Sequence, residues 1–438
     1  MRRTMLKTLE PRRMLTAAVI VIAFATPGRA QAVDPVREWN AIAAKMATSS
    51  AAALSPVQQA RAMAIVQVAV HDAVNGLTRS FATYRQHDRP PAKATSKAAA
   101  VAAAHTALLG LFHTQAQIDD LAAKLAASTA LHQINPSDPG LAYGAQVAND
   151  ILQDRMGDGS DVAQFDYNAP GAGKPGVWVR LGTPPAAALL PGWGRVTPFV
   201  LRSGSQFRPD PPPALTSDRY TADFQEILAL GAQTGSTRTA EQTQIAFFWR
   251  ASPVTIWTPV VDQALAARHL DLSSEARALA LVYLAAADAS IAVWEAKYIY
   301  NFWRPFPAIA GAASDDNPAT TADPAWRPLL PTPPHPEYPS AHASNSSAIV
   351  TVLNRLFGRR PRVHFSVTLF DATSGLTITR QWDTFDQAAN EVIDARVFSG
   401  IHFRNSDEVG ARLGRQTARF VYHHALRPCH GQGKRCGH

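Results

Sequence analysis

Cysteine is nearly missing from this 438-residue chain, with only Cys429 and Cys436, both in the closing polar tail. A core stapled by disulfides or built on a cysteine-rich metal cluster is therefore excluded. Charge is also sparse, at 17% of residues, against 46% hydrophobic. That balance excludes a disordered chain and provides for a real core. Alternating β-branched runs are rare and alanine is abundant, so helices are expected. Beyond the first 32 residues, no stretch reads as a membrane span.

The basic character is largely a property of the N-terminus. Arg2, Arg3, Lys7, Arg12 and Arg13 precede the apolar run Leu15–Ala25, and Ala30-Gln31-Ala32 is a small-residue cleavage site. This pattern predicts a signal peptide over 1–32 and a periplasmic or secreted product. Arg12-Arg13-Met14-Leu15 also fits a twin-arginine leader, and the export route stays open. Removing six basic residues and Glu10 takes the formal charge from +8 to +3. No nucleic-acid partner is expected, and no membrane contact after cleavage. In an oxidising compartment Cys429 and Cys436 are expected to close a small loop in the tail 427–438. A metal site there with His430 and His438 lacks a recognisable spacing.

The remaining chain, 33–426, reads as one helical domain. A helix is expected from Ser55-Pro56, lined by Met63, Val66, Val70 and Val74 and ended by Gly76. Lys97–Phe112, Gln115–Ala130 and Leu141–Met156 predict three more. Between Ala169 and Leu215 ten prolines occur among Trp178, Trp193, Phe199 and Phe207. This is too long for an ordinary connector, and its aromatics predict an ordered wrap. Helices resume at Thr239-Ala240-Glu241-Gln242, a capping box. Others open at Ser273-Ser274-Glu275, at Ser340, near Asp383 and at Asn405.

The chemistry gathers after residue 216. Pro331–Pro339 is too proline-rich to be helical, so Ser340 and His342 fall at the start of the following helix. A helix start offers free N–H groups to an oxyanion. A plain serine cap beside a surface histidine is the alternative. Lys297 and Arg304, seven apart, are expected on one helix face, with Pro305 ending that helix. Two cations among Tyr298, Phe302 and Trp303 either meet an anion or reach out to solvent. Arg396 continues the stripe of Phe385, Ala389 and Val392, so a buried partner is expected. His402 follows Gly400.

In this order, Lys-x6-Arg-Pro, Pro-Ser-x-His and Arg-x5-His resemble the vanadium-dependent haloperoxidases of the bacterial kind. That family shares its site with type 2 phosphatidic acid phosphatases and class A acid phosphatases. The resemblance covers roughly Val36 to Leu426. It implies an all-α fold of two packed four-helix bundles, with the active-site half at about 216–426. It implies that Lys297, Arg304 and Arg396 hold the equatorial oxygens of vanadate, or of phosphate as a competing oxyanion. Ser340 and the Ala341 N–H donate to it, His342 is the acid–base group, and His402 is the metal ligand. The family usually has glycine where Ala341 stands, which puts the fine geometry there in question.

The implied reaction is oxidation of halide by hydrogen peroxide to a hypohalous species, delivered to a small organic acceptor. His335, seven before His342, points to bromide or iodide, and Trp303 is a candidate wall on the halide side. The acid that orients His342 is not evident: Asp288 falls on the wrong helix face from Lys297, and Asp72 is a remote candidate. A secreted phosphomonoesterase working through a phosphohistidine is the alternative function. A catalytically silent oxyanion binder is the third. Oligomeric state is not legible.

Overall fold

The structure is a computed structural model that describes residues 34–360 and 363–429. The expected leader and most of the tail lie outside that range. Thirteen α-helices and one two-stranded hairpin occur among the described residues.

The first group comprises α1 (Pro35–Thr48), α2 (Pro56–Thr78), α3 (Ser96–Leu111), α4 (Gln115–Leu131) and α5 (Pro139–Asp154). Helix α1 was not expected; Asp34 caps it by accepting from the N–H groups of Val36 and Arg37. Helix α2 opens on a Ser55–Gln58 capping box but does not stop at Gly76. It runs on to Thr78 and ends on Arg79 in the left-handed region. Gly76 serves packing instead, since a Cβ there would lie 2.0 Å from the Tyr143 hydroxyl.

The second group follows residue 217. It comprises α6 (Asp218–Leu230), α7 (Ala240–Phe248), α8 (Pro253–Ala266), α9 (Leu272–Tyr300), α10 (Pro305–Ala310), α11 (Ala341–Phe357), α12 (Phe385–Phe398) and α13 (Arg404–His424). The hairpin β1 (Phe365–Asp371) and β2 (Leu376–Trp382) pairs antiparallel, with Phe365 opposite Trp382. Thr239 caps α7 with the expected box. Asp271, rather than Ser273, caps α9.

Helix α9 is the spine. It packs against α2 and also against α11 and α13, and a single apolar core runs through both groups. By length and composition α9 could cross a membrane, contrary to the expectation that no such segment remained. Its apolar window is entirely buried within the protein.

The proline-rich stretch is ordered, with one short 3-10 turn at Trp193–Arg195. Trp178 and Trp193 are buried. Asp288 on α9 pins it, accepting from the N–H groups of Phe199, Val200 and Leu201 at 2.6, 2.8 and 2.8 Å. Asp288 is thus a structural clasp. Burial pushes its carboxyl up to about 6, against the pull of those three donors.

Candidate active site

The start of α11 faces the end of α9, the residues preceding α11, and the α12–α13 junction. Pro331–Pro339 runs without regular structure and presents its carbonyls inward. Lys297, in the last turn of α9, is buried and donates through Nζ to the carbonyls of Pro336 and Glu337 at 2.9 and 2.8 Å.

Arg304 is not on the face of α9. Asn301 takes the left-handed conformation and ends that helix, and Arg304 becomes the N-cap of α10 with Pro305 as its first residue. A proline at the first turn starts a helix as readily as it stops one. The turned chain still brings Arg304 back to the cluster. Its Nε donates to the His335 carbonyl at 2.9 Å and its Nη1 to the Ile401 carbonyl at 2.9 Å. Nη1 also lies 3.2 Å from His402 Nε2.

Arg396, on α12, is buried as its place on the apolar stripe required. Nη1 reaches the Trp249 carbonyl at 3.2 Å, while Nε has no partner. Ser340 caps α11, and its buried Oγ makes no hydrogen bond of ordinary geometry. Ala341 is the first residue of α11 and does not take positive φ, so alanine is unstrained there. The close approach is made by Gly410 of α13, whose Cβ would lie 2.3 Å from the Ser340 carbonyl oxygen.

His342 Nε2 lies 3.3 Å from the Ala251 carbonyl. Among the described residues its ring meets that carbonyl and no acid. Asp72 is engaged elsewhere, accepting from the N–H groups of Tyr84 and Arg85 and pairing with His87. Ala341 and His342 are half-buried, whereas Lys297, Arg304, Arg396, His402 and Ser340 are buried. The mouth of the site is therefore at the first turn of α11.

Two buried acids belong to the cluster and were not anticipated. Glu337 accepts from His402 Nδ1 at 2.8 Å and from the Phe403 N–H at 3.0 Å, and its other oxygen accepts from the Ser406 hydroxyl. It stands three residues before Ser340, so an acid inside a proline run was the available signal. Asp407 is buried in the first turn of α13, where an acid reads as ordinary helix chemistry.

The electrostatics follow from three cations buried together. Burial, and then the neighbouring Arg304, hold Lys297 well below the usual lysine range. Burial brings Arg304 down to about 9 and Arg396 to about 10. His335, His342 and His402 are pushed well below their ordinary value, first by burial and then by the arginines. All three imidazoles are neutral. Burial raises Glu337 to about 7 and Asp407 well above the carboxylate range.

A compact oxyanion fits this chemistry. Unpaired buried donors are costly, and Arg396 Nε lies in the cluster without a hydrogen-bond partner, while the Ser340 hydroxyl lies against the Asp407 carboxyl. Forked guanidinium groups and a helix start suit such a guest. His335 stands at the edge, its Nδ1 3.0 Å from Arg304 Nη2 and its ring 4.8 Å from that of Trp294. Trp303 packs into an apolar cluster with Tyr220, Phe224 and Phe403. Cys429 is disulfide-bonded; Cys436, the only other cysteine, lies outside the described residues, as do His430 and His438.

Comparisons with known proteins bear on the family and the fold. The family model described as the VCPO second helical-bundle domain matches residues 277–431. Vanadium chloroperoxidase of Curvularia inaequalis is 26% identical over 203 residues, covering 39% of this chain and 33% of that protein. The alignment thus spans only about a third of that relative's length. A crystal structure described as the first bacterial vanadium-dependent iodoperoxidase superposes with a TM-score of 0.75 at 26% identity, covering 90% of this chain and 97% of that one. A holo-type bacterial vanadium-dependent chloroperoxidase shares the fold, with a TM-score of 0.67 at 18% identity, over 90% and 98% of the two chains.

Proposed function

We propose that this chain, which belongs to the vanadium-dependent haloperoxidase family, oxidises bromide or iodide with hydrogen peroxide to a hypohalous species. Vanadate is its cofactor. The observation that carries the reading is the meeting of Lys297, Arg304, Arg396, His342 and His402 beside Ser340 and around the unpartnered Arg396 Nε. When bound, vanadate supplies a Lewis acid that activates peroxide toward halide without changing its own oxidation state.

The protein's part is charge, orientation and a proton. Arg304 and Arg396 hold the oxyanion through their forks and Lys297 adds a point charge. The Ser340 hydroxyl and the Ala341 N–H donate to it, and His402 Nε2 offers its lone pair to the metal. With Nε2–H of His342 directed at the Ala251 carbonyl, Nδ1 is the basic atom that takes the proton of incoming peroxide. Neutral His342 at the half-buried mouth is suited to that task.

His335 against Arg304 supports bromide or iodide, as does the iodoperoxidase at 26% identity. The organic acceptor meets the product beyond His342. The leader-like residues 1–32 support an exported enzyme.

The test loads purified protein with orthovanadate and follows halogenation of a phenol-type dye with peroxide, using bromide and iodide in turn. Vanadate-dependent halogenation that vanishes in His402→Ala is expected. Hydrolysis of p-nitrophenyl phosphate without halogenation would make the chain a phosphatase using the same residues. Vanadate binding with neither activity would leave a silent binder.

A further inference from the structure

Glu337 is one of the two buried acids that the oxyanion reading leaves unexplained, and it is the one bonded to His402. It is completely buried, and in its ionised form it opposes any neighbouring anion by Coulomb repulsion. Its oxygens are nonetheless fully engaged. One accepts from His402 Nδ1 at 2.8 Å and from the Phe403 N–H at 3.0 Å, and the other from the Ser406 hydroxyl. This arrangement fixes the tautomer of His402. Nδ1 carries the proton, and Nε2, 3.2 Å from Arg304 Nη1, carries the lone pair.

We propose that Glu337 is a positioning residue that makes the site selective for vanadate over phosphate. The proposal rests on vanadate binding through His402. A carboxylate behind an imidazole orients the ring and strengthens its other nitrogen as a donor. Vanadium would be able to take the His402 nitrogen as a ligand in a stable complex, whereas phosphorus takes an additional ligand only in the transition state. The stronger donor therefore rewards vanadate alone, while the carboxylate's repulsion falls on both anions. The selectivity thus comes from the donor effect, and the repulsion lowers both affinities together.

Glu337→Gln keeps an oxygen for His402 and Phe403 and turns an amide toward Ser406, which can accept. Full-length wild type, Glu337→Gln, Glu337→Asp and His402→Ala would be compared by equilibrium dialysis against orthovanadate and inorganic phosphate, with vanadium-51 NMR of the bound anion. In Glu337→Gln, orthovanadate should bind about 10- to 100-fold more weakly, its resonance should shift, and phosphate should bind as well as in wild type or better. Glu337→Asp, which keeps the charge, should recover part of the vanadate affinity. Parallel weakening of both anions would reduce Glu337 to a folding role and overturn the proposal, as would unchanged vanadate binding. Equal affinity of wild type and His402→Ala for vanadate would overturn the His402 ligation on which it stands. That outcome is separable, because it appears without altering Glu337.

Discussion

Arg396 has one nitrogen on the Trp249 carbonyl and one without a partner, so its removal tests the anion cradle directly. Arg396→Ala should weaken orthovanadate binding by roughly 1.5–3 kcal/mol, the worth of a charged hydrogen bond, measured by dialysis. Lysine in its place should restore only part, since a point charge cannot form the fork. At His335 the expected change is in selectivity. His335→Phe removes a polar ring from beside Arg304 while keeping an aromatic against Trp294. The ratio of bromide to iodide turnover should shift while vanadate stays bound. Asp288 gives a pH prediction. Burial raises its folded value to about 6, above the unfolded one, so the folded protein holds the proton more tightly. Its contribution is complete below about pH 4 and is lost as pH rises through 6. Relative to Asp288→Asn, the wild type should lose on the order of 2–3 kcal/mol between those pH values, read by urea unfolding at each.

The contact between α13 and the start of α11 has almost no slack. Gly410→Ala places a methyl 2.3 Å from the Ser340 carbonyl oxygen, so one helix must move. A stability loss of about 1–3 kcal/mol is expected, with weaker vanadate binding, because Ser340 and the first N–H groups of α11 shift with it. Denaturant unfolding and dialysis check both. Elements of this kind were unevenly legible. The capping box legible at Thr239 marks a real helix start because its side chain bonds its own backbone, and Ser55 and Thr384 prove to carry boxes as well. Gly76 and Pro305 misled, since a glycine can serve a neighbouring tyrosine and a proline can open a helix. The hairpin was overlooked although Phe365, Val367 and Ile378 alternate inward in strands of seven residues each. The helical character of the surroundings masked that short period-two signal.

Across the whole molecule, the cluster was legible as motifs before it was legible as geometry. Arg304, Arg396 and His402 carry their identity in local sequence, but Glu337 acquires meaning only when His402, 65 positions away, folds onto it. The clasp at Asp288 is similar: its partners, Phe199 to Leu201, lie nearly 90 positions upstream. Partner choice at that separation leaves no periodic trace. The half-buried turn at Ala341 and His342 has one more consequence. A hypohalous oxidant leaving there would attack thioethers soonest, yet no methionine occurs after Met156 anywhere in the sequence. Met46 and Met63 are sealed among α1 and α2, and Met156 is 79% exposed. Peptide mass spectrometry after prolonged turnover should find sulfoxide at Met156 well before either of the other two. The turn at Ala341 and His342 thus lies in the methionine-free part of the chain, which would let a halide-oxidising catalyst outlast its own corrosive product.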